Sequence, residues 1–436
     1  MYAAVICRIT NVRKHPNADR LNLATAQGNQ VVIGLDIEEN DLGIFFPCDG
    51  QLSDQFCLAN DLYPRLDDQG RRVGGGFFDP KNRRVRAQGF RGEKSEGFWC
   101  PISYLNGLLP RGTVDNLKEG DQFTELNGVP ICNKYETEAT KQAAAKAQKS
   151  GPPKKHPLFK EHVDTKQLAY EIGKIPVGSV LHLSEKLHGT SGRYGYFQEE
   201  VALTGWGKWL NAIAIFLWTL IGVKNISLTD TKMFTGSRRV QLKSVISGTS
   251  FYGDEGFRFA VAEKLKGNMR VGEMIYGELV GYSKGSTLIM GRVANDAIAD
   301  KEFTRRWGTH TEYKYSCPVG TSKFYVYRIT QSDDAGNTVE LTVPQVKARC
   351  KVLGLEYVPE FYGPFVHTNA DVLSSLVEGF LDGPSTLDQS HIREGVVVRV
   401  DAPDGSTYFL KQKSFEFRVL EGIVKDTGAI DLEECS

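Results

Sequence analysis

SEKLHGTSGR, residues 184–193, places a lysine, Lys186, three residues ahead of a glycine, Gly189. The pattern reads as a lysine amine at the end of a strand, with Gly189 letting the backbone turn close beside a bound group. A neutral lysine is a good nucleophile toward phosphorus. Its ordinary pKa of about 10.4 keeps it charged near neutrality, so cations or desolvation must favour the free amine. K-x-x-G alone is common, and a solvated lysine at a strand end satisfies it equally well.

Three further motifs follow in order. MIYGELVGY, residues 274–282, is an apolar strand carrying Glu278 in its middle. Period-two alternation puts Ile275, Gly277 and Leu279 on one face, and Tyr276, Glu278 and Val280 on the other. A carboxylate there is costly to bury unpaired, so a hydroxyl, a cation or a ligand is expected beside it; a structural salt bridge is the plain alternative. REGVVVRV, residues 393–400, opens a valine run with Glu394, a candidate metal or ribose ligand. YFLKQKS, residues 408–414, sets Lys411 and Lys413 two apart, on one side of a strand. Two adjacent cations repel unless an anion such as a polyphosphate lies between them, or unless both are simply solvated on an edge strand.

Singly each motif is common; together and in this order they resemble the nucleotidyltransferase motifs of the covalent ligase and capping-enzyme superfamily. His188-Gly189 with Glu185 ahead of the lysine is more similar to RNA ligases than to DNA ligases, where an acidic residue usually replaces the histidine. The resemblance implies that Lys186 forms a phosphoramidate with AMP, with Lys411 and Lys413 contacting the α-phosphate. It implies nucleotide contacts for Glu185, Leu187, Gly189 and Glu278, the last to ribose. Arg238 in TGSRRV fits an arginine that holds ribose or phosphate, although Arg239 fits the same pattern. Tyr327 in KFYVYRI stands where an aromatic stacks on adenine; the family usually continues with Asp, where this chain has Arg328. Glu394 corresponds to the carboxylate associated with Mg²⁺ or Mn²⁺, through water. The resemblance runs from about residue 158 onward, with an atypical insertion near 205–232. Only 23 residues follow Lys413, which leaves no room for the C-terminal OB domain of DNA ligases and capping enzymes. The implied activity is ATP-dependent RNA ligation, with a GTP-using capping-type enzyme or a non-catalytic RNA-binding protein as rivals.

Ahead of these motifs, residues 133–157 are rich in Ala, Lys, Gln and Glu and then break at Gly151-Pro152-Pro153, the composition of a semi-rigid tether. Residues 1–132 read as short strands separated by Gly, Asn and Asp turns, which predicts a small barrel. ITNVRKHPNADRLNLATAQGNQVVIG, residues 9–34, resembles the opening of tRNA-binding-type OB modules, and RVRAQGFRGEKSEGFWCP, residues 84–101, resembles the end of such a module. Arg65 to Lys94 holds nine Lys/Arg against four Asp/Glu, a net of +5. Phe77 and Phe78 are interleaved with Arg71, Arg72, Arg83, Arg84 and Arg86, cations for phosphates and aromatics for bases. The expected fold class is α+β: an OB-like barrel (1–132), a linker (133–157) and an adenylation domain of antiparallel sheets with flanking helices (158–436). OB module, tether and nucleotidyltransferase together resemble RNA ligases that seal nicks in duplexes with RNA on the 3′-OH side, so broken or nicked RNA is the expected partner and RNA repair the setting.

Bulk properties are compatible with this and decide little. The 436 residues carry zero formal net charge and 41% hydrophobic residues, so only local patches can attract nucleic acid. Eight cysteines without a C-x-x-C pair argue against a zinc ribbon or a disulfide framework and fit an intracellular enzyme. MYAAVICRITNV reads as a strand and not as a secretory leader. WLNAIAIFLWTLIGV, Trp209–Val223, spans 15 residues, short of the roughly 20 needed to cross a bilayer. A monomer that does not cross a membrane is expected.

Overall fold

The computed structural model describes residues 2–110, 112–149, 156–200, 229–245, 252–295 and 301–426. The Trp209–Val223 stretch and most of the 205–232 insertion lie outside the described residues.

Two sheets build the larger unit. The first has strand order Lys166–Gln167, Thr407–Lys413, Gly395–Asp401, Val180–Lys186, Glu360–Val366. The second is centred on Thr190–Glu200, Glu273–Lys284 and Ser322–Ser332, with Thr229–Gly236 outside them. The chain leaves the first sheet at Lys186 and enters the second at Thr190, so Leu187-His188-Gly189 is the crossing between them. The valine run of residues 396–400 reads as a strand covered on both faces, and Val396, Val398 and Val400 are fully buried, packed with Leu181, Leu183 and Leu373.

Helices close the outer faces. Val343–Leu353 starts where Thr342 and Gln345 form a reciprocal capping box with a proline in the first turn, and it stops at Gly354, φ 64°. Its Arg349 reaches into the sheet to Glu273, with Nε 2.6 Å from Oε1. Ala370–Leu381 is capped by Asn369, whose side chain accepts from Val372 N at 2.9 Å.

The N-terminal unit departs from the expected barrel. Its main sheet has the order Phe98–Pro101, Leu42–Phe46, Ala4–Arg8, Gln122–Phe123, with Thr10–Lys14, Leu21–Ala26 and Asn29–Gly34 forming a separate three-stranded sheet. No closed barrel forms among the described residues. The physical reason is that the central strands are covered on both faces: Ala4, Ile6, Ile44 and Phe46 pack into one core, while Cys7, Phe45 and Trp99 pack into another with Val31 and Ile33. Mixed α/β architecture rich in sheet is what the chain adopts. His15 caps the expected turn, accepting from Asn17 N at 3.0 Å through Nδ1. Cys132–Lys134 pairs with Gly50–Leu52, and Glu138–Lys149 is helical. Cys7, Cys48, Cys57, Cys100, Cys132, Cys317 and Cys350 are free thiols. Among the described residues no helix is long and apolar enough to cross a membrane.

Candidate active site

Register brings the motif residues together. Lys186 pairs with Gly395, and Gly395 pairs in turn with Lys413, so the ends of three adjacent strands line up side by side. Glu394, immediately before Gly395, is fully buried. Its Oε1 lies 2.7 Å from Lys186 Nζ and 3.4 Å from Lys413 Nζ, and its Oε2 lies 3.5 Å from His188 Nδ1. A buried carboxylate is tolerated only with such partners.

Lys186 lies on the wall of a cleft lined also by Glu185, Leu187, Gly189, Arg238, Glu278, Tyr327 and Lys411. Eight of the residues singled out from sequence therefore meet in one cavity, with Glu394 directly against Lys186 and Lys413 against Glu394. The cleft includes Arg238 and not Arg239, which separates the two arginines. Glu185 is buried; its Oε2 accepts from Thr386 N at 2.9 Å and from the Thr386 hydroxyl.

The neighbouring strand also requires a glycine at 189: a Cβ there would stand 2.3 Å from Leu279 O and 3.0 Å from Glu278 Cγ. The crossing is held rigidly: His188 N donates to Tyr315 Oη at 2.6 Å, and Arg258 donates to Thr190 Oγ1 at 2.6 Å and to Ser191 O at 3.1 Å. Arg258 is itself paired with Glu255. Tyr327 owes its direction to a bulge. Tyr276 pairs with Arg328 and Gly277 with Val326, leaving Tyr327 as the extra residue. Bulges of this kind turn one side chain out of the regular alternation beside functional sites.

Several cleft residues went unread in the sequence: His162, Thr165, Arg399 and Phe409 among them. His162 packs against Tyr327 and Phe409 at ring distances of 4.9 and 5.1 Å. Burial and the nearby Arg328, Arg238 and Arg193 hold its pKa well below the ordinary histidine value. No short motif surrounds it. Arg328, in the position where the family usually has Asp, is tied to Glu340 at 2.8 Å, stacks on Tyr276 and lies 3.5 Å from His162 Nδ1.

The expected RNA-facing residues divide. Phe77 is 45% exposed, and Arg71 and Arg72 are exposed as expected. Arg83 is half-buried, with Nε donating to Leu52 O at 3.1 Å. Phe78 and Arg84 are corrections to the expected patch. Phe78 is 3% exposed and belongs to the core, and Arg84 is 4% exposed. Arg84 Nη1 donates to Gly422 O at 2.8 Å and Nη2 pairs with Asp49 at 3.0 Å. Its charge is spent at the seam between the two units. Arg86 lines a small groove with Phe77, Gln88 and Phe98.

A lysine at a sheet crossing, a buried glutamate against it and a pair of lysines on the next strand but one form the constellation that the sequence motifs of a covalent nucleotidyltransferase imply. The family model for RNA ligase matches residues 180–413, more than half of the chain, and the protein belongs to that family. Solved structures of Naegleria gruberi RNA ligase share the fold. A lysine-to-alanine mutant with ATP and Mn is 17% identical over 95% of this chain and 98% of its own, with a TM-score of 0.56. A glutamate-to-alanine mutant with ATP and Mn is 18% identical over 95% and 98%, at 0.57, and another with AMP and Mn is 19% identical over 95% and 97%, at 0.56. No curated protein matches the chain.

Proposed function

We propose that the protein is an ATP-dependent RNA ligase in which Lys186 Nζ attacks the α-phosphorus of ATP and expels pyrophosphate. The observation that carries this reading is the 2.7 Å contact of Lys186 with the buried Glu394 on the wall of the cleft. Attack requires this pair to part: the carboxylate is drawn onto another cation and the proton on Lys186 Nζ passes to solvent. Lys411 and Lys413 then hold the α-phosphate oxygens. AMP passes from Lys186 to an RNA 5′-phosphate, and the 3′-OH of the second strand displaces it to form the phosphodiester.

Within the cleft, Tyr327 and His162 supply an aromatic wall for adenine, Glu278 and Arg238 stand at the ribose, and Glu185, Leu187 and Gly189 shape the strand end beside the nucleotide. Glu394, buried against Lys186, Lys413 and His188, is the carboxylate that would hold Mg²⁺ or Mn²⁺ through water, since such ions commonly take one or two carboxylates plus phosphate oxygens. A bound ion there offsets charge on the phosphate oxygens. The matched structures with ATP or AMP and Mn support both cosubstrate and metal.

The N-terminal unit is read as an OB-type RNA-binding module spanning 1–132, joined by 133–157 to the ligase domain at 158–436. The exposed Phe77 beside Arg86, with Arg71, Arg72 and Arg83 nearby, supports RNA binding, and nicked duplexes with RNA on the 3′-OH side are the proposed substrate. Incubation of the protein with ATP and Mn²⁺ tests the central step. A mass gain of one AMP, absent from Lys186→Ala, is expected; label transferred from GTP alone would overturn the choice of nucleotide.

A further inference from the structure

The Phe415–Asp426 helix begins two residues after Lys413 and lies against the N-terminal unit. Arg84 reaches Gly422 O at 2.8 Å, and Arg418 Nη1 meets Glu96 Oε1 at 3.2 Å. One short element therefore touches the reactive strand at its start and the other unit along its side.

A line of alternating charge runs through that seam. Arg84 pairs with Asp49 at 3.0 Å, and the second oxygen of Asp49 lies 3.3 Å from Lys425 Nζ. Lys425 lies 3.4 Å from Glu421, one helical turn back. Both Glu421 oxygens accept from Lys413 Nζ, at 3.0 and 3.1 Å. Lys413 then reaches Glu394 at 3.4 Å, and Glu394 reaches Lys186 at 2.7 Å. Arg84, Lys425, Lys413 and Glu394 are all buried, so salt and water screen the line less than they would a surface array.

We propose that Asp49 is a positioning residue for Lys413, acting through Lys425 and Glu421, so that the N-terminal unit helps set where the Lys413 ammonium stands during nucleotidyl transfer. This rests on the reading of Lys413 as a phosphate contact. Glu421 is shared by two ammonium groups. Asp49 draws Lys425 from the far side and leaves Glu421 to grip Lys413 with both oxygens. Without the Asp49 charge, Lys425 falls wholly to Glu421, the grip on Lys413 loosens, and Lys413 moves toward Glu394, where it competes with Lys186.

Single-turnover formation of lysyl-AMP by the full chain, measured across ATP concentration, tests this. Asp49→Asn is expected to lower the maximal rate by about 3- to 30-fold, the range for couplings carried through side-chain networks. Half-saturating ATP should change much less, as for a contact made in the transition state. Asp49→Glu, which keeps the charge, should recover most of the rate. Lys425→Met should reproduce the loss from the helix side, which covers the case in which Asp49→Asn does not fold. Glu96→Gln breaks the Arg418 contact of the same seam off the line, and its maximal rate should match the unsubstituted protein. Unchanged rates in both Asp49→Asn and Lys425→Met, or an equal loss in Glu96→Gln, overturn the inference while leaving the ligase reading intact. Absence of lysyl-AMP from the unsubstituted protein overturns the ligase reading and this inference with it.

Discussion

At the scale of single residues, Glu394 holds Lys186 by an interaction that a neutral isostere cannot replace. Glu394→Gln is expected to reduce lysyl-AMP formation by about 10- to 100-fold, typical for groups that orient a reacting centre from one contact away. An unreduced rate in a mass-spectrometric time course would remove Glu394 from the mechanism. Gly189→Ala acts on packing: its Cβ would meet Leu279 O at 2.3 Å, an overpacking that costs about 1–3 kcal/mol. The melting temperature should fall with or without ATP. Lys186, Glu394, Lys411 and Lys413 were singled out in the sequence because each sits in a short motif on or beside a strand. The burial of Arg84 could not be read there. A cluster of cations shows net charge, not which member a distant helix will cover, and Gly422 is 338 positions away. His162 was invisible for the same reason, since it reaches the cleft by tertiary packing and carries no motif, while Arg399 stood inside a quoted motif without a role.

At the scale of elements, agreement follows how much each segment's own chemistry decides. Val343–Leu353 has its bounds set from within, because the capping box, the early proline and Gly354 all act within the helix. Thr342→Ala removes that cap and should cost about 1 kcal/mol, seen as a lower midpoint in denaturant melts with the slope unchanged. A midpoint equal to that of the unsubstituted protein would show that packing on Glu273 through Arg349 carries the helix without its cap. The 274–282 strand was placed correctly, yet its alternation said nothing of the bulge opposite Tyr276 and Gly277 that frees Tyr327. A bulge belongs to a pair of strands, and neither sequence alone carries it. The predicted barrel failed on a similar point. Alternation fixes which residues leave a strand on each side, but not whether the second side meets solvent or another layer, and here Cys7, Phe45 and Trp99 meet a layer.

At the scale of the whole molecule, the seam between the units depends on ionised Asp49. Burial alone would push its carboxyl up from 3.8, but Lys425, Arg84 and Lys413 outweigh that and hold it well below the usual carboxylate range. The folded state therefore binds the proton more weakly than the unfolded or undocked chain. The resulting stabilisation is fully present above the ordinary carboxylate value and is lost as pH falls through it toward the depressed one. Hydrogen exchange along Phe415–Asp426 should thus be slow at pH 6 and accelerate, relative to the core strand Gly395–Asp401, as the pH drops below about 4. In Asp49→Asn the helix should already exchange faster at pH 6, and its difference from the core strand should no longer respond to acid. Equal protection of helix and strand down to pH 3, or an acid response that survives in Asp49→Asn, would place the seam's stability in apolar packing and not in this carboxylate.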